Sequence, residues 1–207
     1  QEKTQEYKYN KDEVNKIIDG STLRDKVIIS VLFDGGLRIG EFMNLRFSDI
    51  FDDEKQAKGY YKIRVRISKT KPRTIGLYQA TKTEILDLWL KVNKDKIGTD
   101  QLLVKLSYGH LSMALKKVGK KVLNKNVHPH LLRHSSATYY CHQLNQYQLC
   151  KRYGWSMSSD MPRLYIDREG VGEEELGNKV KDEETQSYVK EMNKLKEKMS
   201  LMQETLR

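Results

Sequence analysis

Residues 127–138 of the chain read VHPHLLRHSSAT, a stretch that holds three histidines and an arginine around a proline. Pro129 suits the first turn of a helix, because its missing N–H would have no partner inside the helix. In a helix that starts there, His130 and Arg133 stand three residues apart on one face. A guanidinium can hold two phosphate oxygens, an imidazole titrates near neutrality, and a helix N-terminus favours an anion. The stretch therefore predicts a helix whose first turns carry phosphate-directed chemistry.

The composition narrows the class of protein. The 207 residues suffice for one domain with a real core, or for one domain and an appendage. No apolar run is long enough to cross a bilayer and no signal-peptide pattern stands at the start, so we expect no membrane partner. The two cysteines, Cys141 and Cys150, suggest no disulfide framework and indicate a reducing, intracellular compartment. Neither a zinc-type Cys/His spacing nor a magnesium-type carboxylate cluster is present, so no metal or other cofactor is implied.

The positive charge is unevenly distributed. Residues 168–207 hold eight Lys/Arg against ten Asp/Glu, whereas residues 1–167 hold 30 against 18. A basic body with a nearly neutral tail indicates a polyanionic partner, such as nucleic acid, for the body alone.

The first half of the chain predicts helices followed by a small sheet. Asn10 can cap a helix that ends before Gly20, and Ser21 or Thr22 can cap an apolar helix broken at Gly35-Gly36. Arg38 stands where that break meets a new helix, suited either to a cleft or to the surface. Apolar and basic residues then alternate from Tyr61 to Ser68, which predicts a strand with one apolar and one basic face. A turn with Lys69, Lys71 and Arg73 leads to a second strand at 74–78, so the turn either enters a groove or is simply solvated.

The second half predicts helices at 81–92, 108–122, 129 onward and 146–153, and hence a mainly α fold with a small antiparallel β-sheet (α+β). The helix at 108–122 carries a basic run that could contact DNA backbone or merely be solvated. A turn at Gly154-Trp155 precedes residues 158–167, which include Pro162 and Tyr165.

The tail differs in kind from the body. Apolar residues recur there at spacings of four and three, a heptad seam flanked by lysines and glutamates. We divide the chain into a polar lead (1–10), a catalytic domain (11–168), an acidic linker (169–182) and a C-terminal amphipathic helix (183–207). Fewer than three heptads make a weak isolated coiled coil, so we expect this helix to pack on a partner subunit or on the body.

Four stretches in order resemble the tyrosine recombinases, the phage-integrase family of DNA breaking-and-joining enzymes. They are GGLRIGE at 35–41, SKT at 68–70, HLLRHSSAT at 130–138 and GWS…Y at 154–165. The wording MPxxY at 161–165 is most similar to archaeal members. The resemblance implies the family's mainly helical catalytic domain with its small antiparallel sheet.

The resemblance also implies roles for single residues. Arg38 and Arg133 become the two site arginines, and Tyr165 becomes the nucleophile. Lys69 matches the hairpin lysine, His130 the histidine of the HxxR motif, and Trp155 a position that holds histidine in most members. Other members also carry an N-terminal DNA-clamping helical domain; since few residues precede the first helix here, we expect this sequence to be a piece of a longer protein.

Several positions compete for these roles. Lys71 could replace Lys69, because the register of a hairpin cannot be fixed from sequence. His128 and His134 flank His130, and we expect His134 to point away from the site in a structural role. Four further tyrosines lack the motif context; Tyr139 and Tyr140 are expected in the core, and the others are Tyr147 and Tyr153.

The leading hypothesis is a site-specific DNA recombinase or integrase of a virus or mobile element, acting without metal or ATP. The expected partners are double-stranded DNA and other copies of the chain in a synaptic tetramer, with the C-terminal helix as a candidate contact between copies. The expected location is cytoplasmic, with the nucleoid. The alternatives are a type IB topoisomerase-like enzyme and an architectural DNA-binding protein with an idle site. The candidates for DNA contact are Lys71, Arg73, Arg64, Arg66, Lys116, Lys117 and Lys120.

Overall fold

The computed structural model describes residues 8–51, 59–78 and 83–169, together with Met192. Two compact units divide the chain, Gln1–Ile166 and Asp167–Arg207. The predicted acidic linker and C-terminal helix therefore lie almost wholly outside the described residues. The fold that follows is that of the first unit.

Helices dominate the described residues, and a small sheet interrupts them. The helices are α1 (Lys11–Asp19), α2 (Leu23–Gly35), α3 (Ile39–Met43), α4 (Thr83–Val92), α5 (Tyr108–Leu123), α6 (Pro129–Cys141), α7 (Gln146–Tyr153) and α8 (Met161–Glu169). The strands β1 (Ile50–Phe51), β2 (Tyr61–Val65) and β3 (Arg73–Leu77) form an antiparallel sheet in that order, with Ile63 opposite Ile75. The predicted fold class, mainly α with a small antiparallel sheet, is confirmed. None of the described helices is both long and apolar enough to cross a membrane.

Helix α2 forms the centre of the core. It is apolar on nearly every side, as expected of a helix that neighbours surround. It packs against α1, α3, α4, α5, α6 and β3. Helix α3, which begins directly after Arg38, and helix α6, which holds His130 and Arg133, therefore both pack directly on this one helix.

The predicted helix ends depend on short-range chemistry. The side chains of Asn10 and Thr22 accept hydrogen bonds from backbone N–H groups in the first turns of α1 and α2. Pro129 occupies the first turn of α6, and the ring of His128 accepts from the N–H of Leu131. Gly36 ends α2 in the left-handed conformation, with φ of 57°, a region that favours glycine.

The sheet departs from the predicted alternation at its far end. β2 ends at Val65, and Ile67 is 58% exposed rather than part of an apolar face. The chain leaves the sheet at Arg66, whose guanidinium is bonded to the buried carboxylate of Asp49. Beyond this ion pair, residues 67–69 line a cleft instead of continuing the apolar face.

Candidate active site

A cleft of about 720 Å³ opens between α3, the β2–β3 hairpin, α6 and α8. All six residues proposed from the sequence line it: Arg38, Lys69, His130, Arg133, Trp155 and Tyr165. These side chains come from positions spread over most of the first unit. Their meeting in one cleft is the arrangement on which the proposed chemistry depends.

Arg133 is buried in the floor of this cleft. Nη1 donates to the carbonyl of Gly36 at 2.5 Å, and Nη2 donates to the carbonyl of Tyr153 at 2.7 Å. The guanidinium also lies over the ring of Tyr153, 5.2 Å from its centre. Burial and the nearby charges of Arg38 and Arg73 lower the pKa of Arg133 to about 10, so the group remains charged at neutral pH. Its backbone partners fix its direction without neutralising that charge.

Arg38 is held at the start of α3 and faces the cleft. Its backbone N–H donates to Glu41 Oε2 at 2.9 Å, and its Nη1 donates to Glu41 Oε1 at 3.2 Å. The side chain is 30% exposed, so part of the guanidinium can reach a ligand. A cap position between a break and a helix accounts for this placement, which the sequence analysis left open.

Glu41 lines the cleft and was not proposed as a site residue from the sequence. Its carboxylate is buried and accepts from Arg73 Nη1 at 3.0 Å, Arg73 Nη2 at 2.9 Å and Ser68 Oγ at 2.7 Å, in addition to Arg38. Arg133 Nη1 lies 3.9 Å from the same group. Burial alone would raise the pKa of Glu41, but the hydrogen bonds of Arg73 and Ser68 and the charge of Arg73 outweigh it and lower the pKa to about 2. The signal available in the sequence was a glutamate three residues after the helix start, the spacing of a capping box.

Arg73 was expected to contact DNA, and the structure corrects that expectation. Its side chain is only 6% exposed, because both terminal nitrogens bind Glu41 and Nε donates to the carbonyl of Arg152. The buried carboxylate accounts for this: a charge inside the protein requires a partner of opposite sign. Arg73 thus holds the Glu41 carboxylate inside the protein and does not extend into solvent.

The other candidates for DNA contact remain on the surface. Arg64 lies over the ring of Phe51, and Arg66 is bonded to Asp49 and Ser48. Exposed lysines stand along α5 and at the hairpin, namely Lys71, Lys116, Lys117 and Lys120.

The hairpin places its two lysines differently. Lys69 is exposed and lines the cleft beside Arg38 and His130, whereas Lys71 lines a neighbouring depression next to Cys150 and Met157. Since β2 ends at Val65, the alternation of the strand does not set the direction of the side chain at position 69. The geometry thus favours Lys69 for a role in the cleft.

Tyr165 lies inside the cleft and not on a free arm. It is 3% exposed, and its ring is stacked on Trp155 with centroids 5.6 Å apart and planes 12° apart. Trp155 is stacked in turn on Tyr153 at 4.7 Å. This three-ring stack sets the phenol on the same side of α6 as the guanidinium of Arg133, which lies 5.8 Å from the Trp155 ring centre.

The hydroxyl of Tyr165 is hydrogen-bonded to His134 Nδ1. His134 Nε2 lies 2.7 Å from Nε2 of His130, one helical turn earlier in α6. The expectation that His134 points away in a structural role is wrong: spacing of four residues on a helix puts both rings on one face, and that face lines the cleft. His128, by contrast, caps the helix.

The remaining tyrosines considered from the sequence lie outside the cleft lining. Tyr140 is buried and donates to Asp34, Tyr153 is buried and bonded to Ser136, and Tyr139 packs on the core. Burial raises the pKa of Tyr140 and of Tyr153. Tyr147 is exposed on α7.

Comparison with known proteins places this geometry in a family. The model of the phage integrase family matches residues 8–169. Tyrosine recombinase XerA of the archaeon Pyrococcus horikoshii is 37% identical over 134 residues, which is 62% of this chain and 45% of that protein. The chain thus spans less than half the length of the curated relative.

Solved structures share the fold. A crystal structure of XerA recombinase superposes with a TM-score of 0.66 at 22% identity, over 88% of this chain and 65% of that one. XerH site-specific recombinase in a pre-cleavage complex with its difH substrate gives 0.61 at 20% identity, over 77% of this chain and 49% of that one.

Proposed function

The chain belongs to the phage integrase family of tyrosine recombinases, and from this premise we propose that it is a site-specific DNA recombinase that cleaves and rejoins DNA through a 3′-phosphotyrosyl intermediate. The observation that carries the proposal is that two guanidiniums and one phenol line a single cleft, those of Arg38, Arg133 and Tyr165. The XerA-like fold supports it.

The chemistry assigns each side chain a role. Attack of Tyr165 on a phosphodiester adds negative charge to the non-bridging oxygens, and the guanidiniums of Arg38 and Arg133 neutralise that charge without a metal. The phenol has an ordinary pKa of about 10, so an imidazole of α6 takes its proton during attack. Lys69 protonates the departing 5′ oxygen, which would otherwise leave as a poor alkoxide. The tyrosyl ester conserves the energy of the broken bond, so rejoining requires no ATP.

Trp155 contributes packing and one donor. Its ring holds the ring of Tyr165 at 5.6 Å. The indole N–H can donate to phosphate but cannot carry protons back and forth. Orientation of the nucleophile is therefore the larger part of its role.

DNA is the proposed polyanionic partner of residues 1–167, which carry a net positive charge. Further copies of the chain are the proposed protein partners in a synaptic tetramer. A truncated chain ending at Asp167 tests whether the predicted C-terminal helix joins the copies. Tetramers on DNA, measured by mass photometry, should be lost if it does and persist if the first unit alone assembles.

Trapping of the covalent intermediate tests the function. The chain is incubated with a pool of nicked duplexes whose centres are randomised, because the nick lets the cleaved end diffuse away and blocks rejoining. A denaturing gel should show a protein–DNA adduct, and sequencing the adducts should recover a preferred site. Tyr165→Phe should form none, whereas Tyr147→Phe, the same change at an exposed tyrosine, should match the wild type.

An adduct of equal yield from Tyr165→Phe would refute the assignment of the nucleophile. Adducts without any preferred sequence, together with relaxation of supercoiled plasmid, would indicate a topoisomerase instead. DNA binding without any adduct would leave the architectural alternative.

A further inference from the structure

We propose that His134 is a catalytic residue of this chain, which takes the phenolic proton of Tyr165 on Nδ1 and passes its own Nε2 proton to His130. The inference rests on the proposed function and names the base of the cleavage step. It replaces direct transfer to His130 with a relay through two imidazoles.

The contacts define an unbroken path for the proton. The hydroxyl of Tyr165 is bonded to Nδ1 of His134, and Nε2 of His134 lies 2.7 Å from Nε2 of His130. The two rings stand edge to face, 85° apart with centroids 4.3 Å apart, and their Nε2 atoms are the atoms within hydrogen-bond distance. His130 is exposed at the cleft mouth, which lets the path end at solvent.

The direction of the hydrogen bond between Tyr165 and His134 decides the tautomers of both rings. A neutral imidazole carries one proton, so one nitrogen donates and the other accepts. If the phenol donates to Nδ1 of His134, then Nε2 of His134 holds the ring's proton and donates to Nε2 of His130. His130 in turn carries its proton on Nδ1. Each link then has one donor and one acceptor.

The proton balance of the step follows. As the phenolic oxygen bonds to phosphorus, its proton moves to His134 Nδ1 while the Nε2 proton of His134 moves to His130. His134 ends neutral as its other tautomer, and His130 ends as an imidazolium ion. His130 then returns a proton to solvent, and the reverse sequence restores the phenol on rejoining.

The other ionisable groups that line the cleft with His134 are poor bases for this step. Along the described cleft they are Arg38, Lys69, His130, Arg133, Tyr165 and Glu41. The one carboxylate among them, Glu41, has a pKa lowered to about 2 in spite of burial, because Arg73 and Ser68 bond it. Lysine and arginine are protonated at neutral pH. The imidazoles are left as acceptors, and His134 is the one bonded to the phenol.

Substitution by asparagine separates proton transfer from positioning. In His134→Asn the side-chain oxygen can still accept from the phenol but cannot take its proton. Single-turnover adduct formation, on the site recovered from the randomised pool, should slow about 100-fold at neutral pH, the usual scale for general-base catalysis. The deficit should shrink as the pH rises toward about 10, the range in which tyrosine ordinarily ionises, because hydroxide then replaces the base. His110→Asn, at an exposed histidine of α5, should behave as the wild type.

A substrate with sulfur in place of the bridging 5′ oxygen distinguishes the base, His134, from the acid, Lys69. A thiolate leaves without a proton, so this substrate should rescue Lys69→Ala. It should not rescue His134→Asn, because the phenol must still be deprotonated. His130→Ala breaks the second link and should fall between the wild type and His134→Asn.

Nitrogen-15 spectra of the imidazoles test the path without catalysis. The wild type should show His134 protonated on Nε2 and His130 on Nδ1. In Tyr165→Phe, His134 should no longer favour protonation on Nε2. The relay is overturned if His134 is protonated on Nδ1, if His134→Asn cleaves at the wild-type rate, or if its deficit is equal at every pH. An inactive wild type would instead overturn the proposed function and the relay with it.

Discussion

Glu41→Gln removes the negative charge around which the arginines of the cleft are arranged. The wild-type carboxylate is buried and accepts hydrogen bonds from Arg38, Arg73 and Ser68. Glutamine keeps the shape and one acceptor oxygen but brings an N–H₂ group against guanidinium donors. We expect the variant to fold with lower stability and to hold Arg38 less firmly.

The magnitude follows from the pKa of Glu41, which burial would raise and which its bonds to Arg73 and Ser68 lower from 4.5 to about 2. At about 1.4 kcal/mol for each pKa unit, this difference corresponds to about 3 kcal/mol in the free energy of unfolding. Because the folded pKa is the lower one, the contribution is fully present above pH 4.5 and is lost as the pH falls toward 2. Breaking a buried ion pair by removing one partner costs about 3–5 kcal/mol, which agrees.

Urea unfolding of wild type and Glu41→Gln across this pH range measures the effect. Other carboxylates titrate in both proteins, so the difference in unfolding free energy isolates Glu41. It should be about 3 kcal/mol at neutral pH and should vanish near pH 2. Glu84→Gln, at an exposed position of α4, should change stability by less than about 0.5 kcal/mol. A Glu41→Gln variant as stable as the wild type at neutral pH, or a difference independent of pH, would refute the reasoning.

Three further predictions concern a turn, the hairpin and the basic helix. Gly36→Ala should cost about 3 kcal/mol in urea unfolding, since the left-handed conformation costs about 1–2 kcal/mol and its methyl would meet the ring of Tyr153; Gly109→Ala, where nothing lies within 4 Å, should be neutral or stabilising, and equal costs would contradict this. Lys69→Ala should slow adduct formation about 100-fold on ordinary DNA, whereas Lys71→Ala should change it only slightly; the opposite order would move the acid to Lys71. Each phosphate contact removed should lower the slope of log DNA affinity against log salt by about 0.9. Alanine at Lys116, Lys117 and Lys120 together should therefore lower that slope, measured by fluorescence anisotropy. An unchanged slope would exclude α5 from the DNA interface.

Local signals in the sequence were sufficient for most of the fold. Caps such as Asn10 and Thr22, the proline at 129 and the strand alternation at 61–65 each depend on neighbours within a few residues, and the structure has helices and strands there. Helix α8 was the exception, since no element was assigned to residues 158–167. Pro162 stands in its first turn, where proline is compatible with a helix.

The site was predictable as a set of residues and not as a set of contacts. Motif spacing selected the side chains that line the cleft, but partners across the fold decide what each one does. Arg73 and Lys71 are alike in sequence context, yet only Arg73 meets the buried carboxylate of Glu41. From the sequence, His134 is expected to point elsewhere because it directly follows Arg133 on the helix. Its bond to Tyr165 depends on how α8 packs on α6, which no local pattern encodes.

The partners of the arginines bear on the proposed attack on a phosphodiester. Arg38, Arg73 and Arg133 surround the single carboxylate of Glu41, which leaves a formal charge of +2 on this cluster. Arg73 is the member committed to the carboxylate by two bonds, whereas Arg133 is held by neutral carbonyls that leave its charge intact. A diester gains a second negative charge as the tyrosyl oxygen adds, so the excess positive charge matches the transition state better than the substrate. A second carboxylate in place of the carbonyl partners of Arg133 would neutralise its charge. Arg38 and Arg133 would then favour the transition state over the substrate less, and the attack of Tyr165 on the diester would be accelerated less.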